Sequence, residues 1–254
     1  MISGEARLLV GRRIVVTGAS RGLGRAMAIA LAAAGARIAA TGRDRAALGE
    51  TLATIRDAGG EAEGFALDIT AAPAVDAFAQ DIWSAWDGID VVFANAGISL
   101  VKPALETTDA EFARVMEANL MGTFRTLRAF GRPMLARGAG KLVTVTSDIG
   151  LRGSAGWVAY GASKAAIVSL TKTLAWEWAP KVTVNSIAPG AFATDINADL
   201  LSDPAILKSV EAATPLARVG RTAEIGPLAV LLAGPGSDFM TGQVISIDGG
   251  IQRS

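Results

Sequence analysis

The apolar residues of this chain fall in short, nearly continuous runs separated by glycine, proline and polar clusters. Ile14 to Thr17 (I-V-V-T) is the first such run; it ends in a glycine cluster, and the helix-forming stretch Ala26 to Ala34 continues until Gly35 stops it. Arg37 to Thr41 predicts a second strand. A helix from about Asp44 ends at Gly59-Gly60, and Gly64 to Leu67 predicts a third strand just before Asp68. A helix near Ala74 to Trp86 then leads into the almost wholly apolar run Asp90 to Ala94. Strands that are apolar on both faces and alternate with helices indicate a parallel sheet covered on both sides.

The second half continues the alternation. Thr108-x-x-Glu111 is a capping-box signal that opens a long helix reaching about Arg137. Lys141 to Thr146 predicts strand five, and a helix spans Val158 to Ala179, closed by Pro180. Val182 to Ile187 is strand six, after which Ala188-Pro189-Gly190 breaks the pattern. A weakly helical segment from about Ala191 to Arg218 lies where a lid would sit, and helix Ala223 to Ala233 and strand Gln243 to Ile247 complete the chain. With no repeat, linker or low-complexity tract, residues 1–254 read as a single α/β domain.

Composition narrows the chemistry. Of 254 residues 51% are apolar and 19% charged, which describes a packed globule. Lys plus Arg and Asp plus Glu each number 24, so nothing advertises nucleic acid or an anionic membrane as a partner. The most apolar stretch, Ile29 to Ala40, is broken by Gly35 and Arg37 and is too short for a membrane span. The first residues are too polar for a signal peptide, and the absence of cysteine fits a reducing compartment, so a cytoplasmic protein is expected. With no histidine, a Ser-His-Asp hydrolase is excluded, and with neither histidine nor cysteine the common zinc sites lose their usual ligands. Carboxylate-only magnesium sites remain open, but no paired-carboxylate motif stands out, and no metal site is expected.

That leaves Tyr160, the single tyrosine of the chain, and Lys164 as the candidates for acid/base work. Tyr-x-x-x-Lys on a helix puts both side chains on one face. A phenol titrates near ~10, so a working pKa near 7 needs roughly 4 kcal/mol of added phenolate stabilisation. A cation about 4 Å away at an effective dielectric near 20 supplies about that much. Asn119 is a second oddity, since asparagine is a poor former inside the predicted helix. Thr17-Gly18-Ala19-Ser20-Arg21-Gly22-Leu23-Gly24, between a strand and a helix, is the arrangement that brings backbone N–H groups and a positive helix end to a phosphate.

With the glycine loop, Asn95-Ala96-Gly97, Ser147, Tyr160-x-x-x-Lys164 and Pro189-Gly190 in this order, the sequence resembles the short-chain dehydrogenase/reductases from Gly11 to about Gly250. The resemblance implies a Rossmann-type doubly wound sheet of seven parallel strands in the order 3-2-1-4-5-6-7, with helices on both faces and the ligand at the carboxyl ends of the strands. It implies hydride transfer between a nicotinamide cofactor and a carbonyl or secondary alcohol. In that reading Tyr160 exchanges the proton and Ser147 holds the substrate oxygen. Lys164 tunes Tyr160 and bonds the ribose, and Asn119 kinks its helix and holds a water that relays protons to Lys164. Gly18, Ser20, Arg21, Gly22, Leu23 and Gly24 shape the pyrophosphate loop. Asp68 and Ile69 meet the adenine, and Asn95, Ala96 and Gly97 form the floor beneath it. Pro189, Gly190 and Thr194 belong to the carboxamide or pyrophosphate side, where Phe192 lines the pocket or offers its amide.

Gly42 stands where an acidic residue would select NAD, and Arg43 follows it, with Arg21 in the glycine loop. Two guanidiniums favour a 2′-phosphate, so NADP(H) is expected, with NAD(H) as the alternative; Asp44 reads as a helix N-cap. Ser99, Asp148, Arg152, Trp157 and Phe192 are the residues expected to face substrate, Arg152 as a possible anion contact. The pattern is similar both to 3-oxoacyl-carrier-protein reductases and to polyol or gluconate dehydrogenases. The family resemblance also implies a homotetramer, for which Trp176 and Trp178 are interface candidates. The alternative function is a catalytically silent NADP(H)-binding sensor or scaffold.

Overall fold

The computed structural model describes residues 8–195 and 201–252. Seven strands form one sheet: β1 Arg13–Thr17, β2 Arg37–Gly42, β3 Glu61–Ala66, β4 Val91–Ala94, β5 Gly140–Val145, β6 Val182–Pro189 and β7 Val244–Ile247. They are all parallel and ordered 3-2-1-4-5-6-7. Side chains alternate across the pleat, so the two faces sort the apolar runs into two cores. Ile14 and Val16 of β1 and Phe93 of β4 pack with α1 (Gly22–Ala33), α2 (Arg45–Asp57) and the helix Gly226–Ala233. Val15 and Val92 face the other way, onto α3 (Ala72–Ala85), α5 (Gly122–Arg137) and α7 (Val158–Trp178). Each fully buried Leu, Ile or Phe in these layers contributes about 1.5–3 kcal/mol.

β1 has β2 on one side and β4 on the other. The connections from β1 and β4 therefore leave in opposite directions, and a crevice opens between them at the carboxyl edge. Among the described residues, no helix is long and apolar enough to cross a membrane.

Several boundaries differ from the sequence expectation. Helix α1 starts at Gly22, inside the glycine loop, rather than at Ala26. Strand β3 runs Glu61–Ala66 instead of Gly64–Leu67, because its register with β2 pairs Arg37 with Glu61, and exposed charges on this edge strand hide it from an apolar search. The long helix after Thr108 is three pieces: α4 (Asp109–Met116), a π-helical turn over Glu117–Met121, and α5. Its capping box is present as predicted. A short helix, α6 (Asp148–Arg152), replaces what reads as loop. In the expected lid, Pro204–Ala213 is helical, while residues 196–200 lie outside the described residues. The helix expected from Ala223 begins as a tight turn, Thr222–Ile225, and becomes α-helical at Gly226. Trp178 packs into the second core, but Trp176 is 88% exposed.

Candidate active site

A cavity of about 470 Å³ follows the carboxyl ends of the strands. Every residue singled out above for cofactor or substrate lines it, as do Ser147, Tyr160 and Lys164; Asn119 stands behind its wall.

At the crevice between β1 and β4, Thr17 Oγ1 accepts the backbone N–H groups of Asn95 (3.0 Å) and Ala96 (3.1 Å). Asn95 Nδ2 in turn donates to Thr17 O at 2.9 Å. These bonds stitch the two loops together. Gly24 cannot be replaced here, since a Cβ would stand 2.2 Å from Gly18 O. The first turn of α1 has no side-chain cap, which leaves its N–H groups and positive helix end to face the cavity.

Next to it, the Thr41 hydroxyl at the end of β2 is buried without a hydrogen-bond partner while lining the same cavity. An orphaned buried hydroxyl costs about 1–3 kcal/mol, a cost that a bound polar group removes. Asp44 caps α2 by accepting Ala47 N–H at 3.0 Å. A side chain at Gly42 would press on Ser20 at 3.2 Å. Asp68 is held below the usual carboxylate range by the Thr70 N–H and hydroxyl, with the charge of Arg43 adding to this. The uncapped helix end, the orphan hydroxyl and the close-packed glycines fit a dinucleotide.

On the other side of the cavity, Ser147 ends the β5 connection and caps α6, its Oγ accepting Ile149 N–H at 3.2 Å. Gly150 lets α6 sit against α7, since a Cβ there would be 2.7 Å from the Lys164 carbonyl carbon. Tyr160, in the first turn of α7, is hydrogen-bonded to Ser147 and packs on Trp157 with ring centroids 5.2 Å apart. Burial pushes the phenol up to about 12; the nearby Asp148 charge adds to this, while the Ser147 hydrogen bond opposes it. Burial also pushes Lys164 down to about 8. The sequence expectation of a phenol drawn toward neutrality by Lys164 is therefore corrected: burial outweighs it. Lys164 Nζ lies 5.6 Å from the Tyr160 ring centroid and donates to Val145 O at 2.8 Å, which uses one of its three ammonium hydrogens.

Asn119 sits in the π-turn with no exposed surface. Its Oδ1 accepts Ile98 N–H at 2.8 Å, and its Nδ2 donates to Ile98 O and to Ser163 Oγ, both at 3.0 Å. Ser163 Oγ then donates to Tyr160 O at 2.7 Å. Both amide hydrogens are thus spent on clamping the β4 loop to α7.

Asp148 is 4% exposed. Its Oδ1 accepts the Ser147 hydroxyl at 3.0 Å, and its Oδ2 accepts Arg152 Nε at 3.0 Å and Nη2 at 2.9 Å. Arg152 is therefore paired rather than free to grip an anion. Ser99 and Trp157 lie along the same wall, and the Phe192 ring lies over Gly220, where a Cβ would approach it to 2.7 Å. Thr194 is buried beside Gly22. Sequence reasoning missed Thr41, Ser154 and Ile251 as lining residues, whereas Val210 belongs to the expected lid. Thr41, as the last residue of the predicted second strand, could have been found by its position; Ile251 had no local signal.

A family model described as Enoyl-(Acyl carrier protein) reductase matches residues 18–252. The chain is 35% identical to a 3-oxoacyl-[acyl-carrier-protein] reductase of Synechocystis sp., over 96% of this chain and 98% of that one. It is 38% identical to a galactitol 2-dehydrogenase (L-tagatose-forming) of Cereibacter sphaeroides, over 95% of each. A gluconate 5-dehydrogenase from Burkholderia cenocepacia, solved in complex with NADP and tartrate, superposes with a TM-score of 0.91 at 33% identity, covering 97% of both chains.

Proposed function

Because the chain belongs to the short-chain dehydrogenase/reductase family, whose members are oxidoreductases acting on CH–OH or carbonyl groups, we propose that it transfers a hydride between NADP(H) and a carbonyl or secondary alcohol. The observation that carries this is the meeting of Ser147, Tyr160 and Lys164 on the wall of one cavity whose far end fits a dinucleotide. A bound nicotinamide supplies or accepts the hydride. The protein's own residues do the rest. Tyr160, a protonated phenol at neutral pH, gives its proton to the developing alkoxide. Ser147 donates to the same oxygen as charge gathers there. Lys164 leaves Val145 O for the cofactor ribose and the phenol, which brings positive charge to the proton donor when it is needed. Asn119 is a positioning residue that holds the Ile98 loop against α7.

The glycine loop from Gly18 to Gly24 and the start of α1 would hold the pyrophosphate, Asp68 and Ile69 the adenine, and Thr41 a ribose hydroxyl. NADP(H) is favoured over NAD(H) because Gly42 offers no acidic side chain at the end of β2, Asp44 is spent as a helix cap, and Arg21 and Arg43 line the cavity. The name of the Burkholderia relative's complex supports the same choice. The relatives' names support a small polyol, sugar acid or 3-oxoacyl substrate. We read the chain as one domain with a lid at about 191–218, whose Val210 reaches the cavity, and as a cytoplasmic homotetramer for which exposed Trp176 offers contact surface. The test is NADPH oxidation against a panel of ketones, sugars and acyl thioesters; no turnover with any of them, or with NADH, overturns the reading.

A further inference from the structure

The geometry points to a second substrate subsite beside the reacting carbonyl: Asp148, pinned by Arg152, is an acceptor for a hydroxyl on the carbon next to the carbonyl, and the preferred substrates are α-hydroxy ketones and the vicinal diols they yield. This inference rests on the carbonyl reductase reading.

The hydrogen bonds around Ser147 carry the argument. A carboxylate can only accept, so the Ser147 proton points at Asp148 Oδ1, 3.0 Å away. A carbonyl held for reduction needs donors from both Tyr160 and Ser147. Ser147 has one proton, so to serve the carbonyl it must turn away from Asp148. Asp148 cannot follow, because Arg152 holds its Oδ2 through two nitrogens, and it is too buried for bulk water to replace the lost donor.

Productive binding of a plain ketone or a 3-oxoacyl thioester therefore leaves one buried carboxylate oxygen without its proton donor. A substrate that carries a hydroxyl on the adjacent carbon restores it. Oxygens on neighbouring carbons span a distance comparable to that between Ser147 Oγ and Asp148 Oδ1, so one substrate oxygen meets Ser147 and the next meets Asp148. The same wall presents Ser99 and Ser154 to the cavity, a polar surface suited to a polyol. A site built to bond a substrate hydroxyl discriminates strongly against the analogue that lacks it. The Asp148–Arg152 pair is neutral as a unit, so the hydroxyl, and not a substrate charge, is what it recognises.

The test compares kcat/KM of the full chain with NADPH for 1-hydroxy-2-propanone, 1-methoxy-2-propanone and 2-butanone. The methoxy compound keeps the electron withdrawal that activates the carbonyl but has no proton to give. The expected result is a preference of about tenfold or more for the hydroxy ketone over both others. In Asp148→Ala the ratio of hydroxy to methoxy ketone should fall to within about twofold of unity, and Asp148→Asn, which keeps an acceptor oxygen, should retain part of it. Equal use of the hydroxy and methoxy ketones by the unmodified protein overturns the inference even if the variants do not fold. A ratio unchanged in Asp148→Ala overturns it as well, by assigning the preference to intrinsic reactivity. Reduction of 2-butanone without any hydroxyl preference removes this inference alone, whereas no reduction of any carbonyl removes the function it rests on and the inference with it.

Discussion

Lys164 Nζ donates to Val145 O at 2.8 Å and lies 5.6 Å from the centroid of the Tyr160 ring. Burial then acts on each in its own direction, raising the phenol and lowering the ammonium, because in both cases the charged form loses water.

Tyr160 is the single tyrosine, so tyrosinate absorbance reports this one group. The neutral phenol is the favoured form, and its ionisation is delayed above the ordinary value of 10 to about 12. A spectrophotometric titration of the cofactor-free protein, with Tyr160→Phe as the blank, should show no tyrosinate below about pH 10. A midpoint near neutrality would mean that Lys164 already acts on the phenol in the free chain.

Asn119 should matter to stability as well as to turnover. Asn119→Ala leaves the Ile98 N–H and C=O without their side-chain partner and removes the donor that Ser163 Oγ accepts. The expected loss is about 2–4 kcal/mol of unfolding free energy. Urea melts of the two proteins measure it, and unchanged midpoints would show that the clamp bears no weight.

The alternation of strands and helices, the glycine loop and the Tyr160–Lys164 pair were legible from local signals, while the strand order and most of the site residues followed from the family resemblance. The misses share a physical cause. β3 is an edge strand defined by pairing with β2, and its exposed charges carry no apolar signal. The π-turn around Asn119 and the short helix α6 depend on contacts with Ile98, Ser163 and α7, which are distant in sequence. The partnership of Asp148 with both Ser147 and Arg152 is a property of α6, and once that helix is taken for a loop the pair reads as two separate residues.

Cofactor choice is the third prediction. Arg43→Ala removes a guanidinium that lines the cavity beside Gly42, where no acidic side chain stands. The ratio of kcat/KM with NADPH to that with NADH should fall by about tenfold, the effect of removing one charge-assisted hydrogen bond to the 2′-phosphate. An unchanged ratio would assign Arg43 to solvent.

The central claim is that Tyr160 is the proton donor of a carbonyl reduction. Tyr160→Phe keeps the ring against Trp157 and removes only the hydroxyl, so the cavity and its dinucleotide end stay built. NADPH affinity by fluorescence titration should remain within about twofold, while kcat/KM for the best carbonyl in the panel falls by about 10²–10⁴-fold. Turnover that survives the loss of that hydroxyl, with NADPH still bound, would contradict the account.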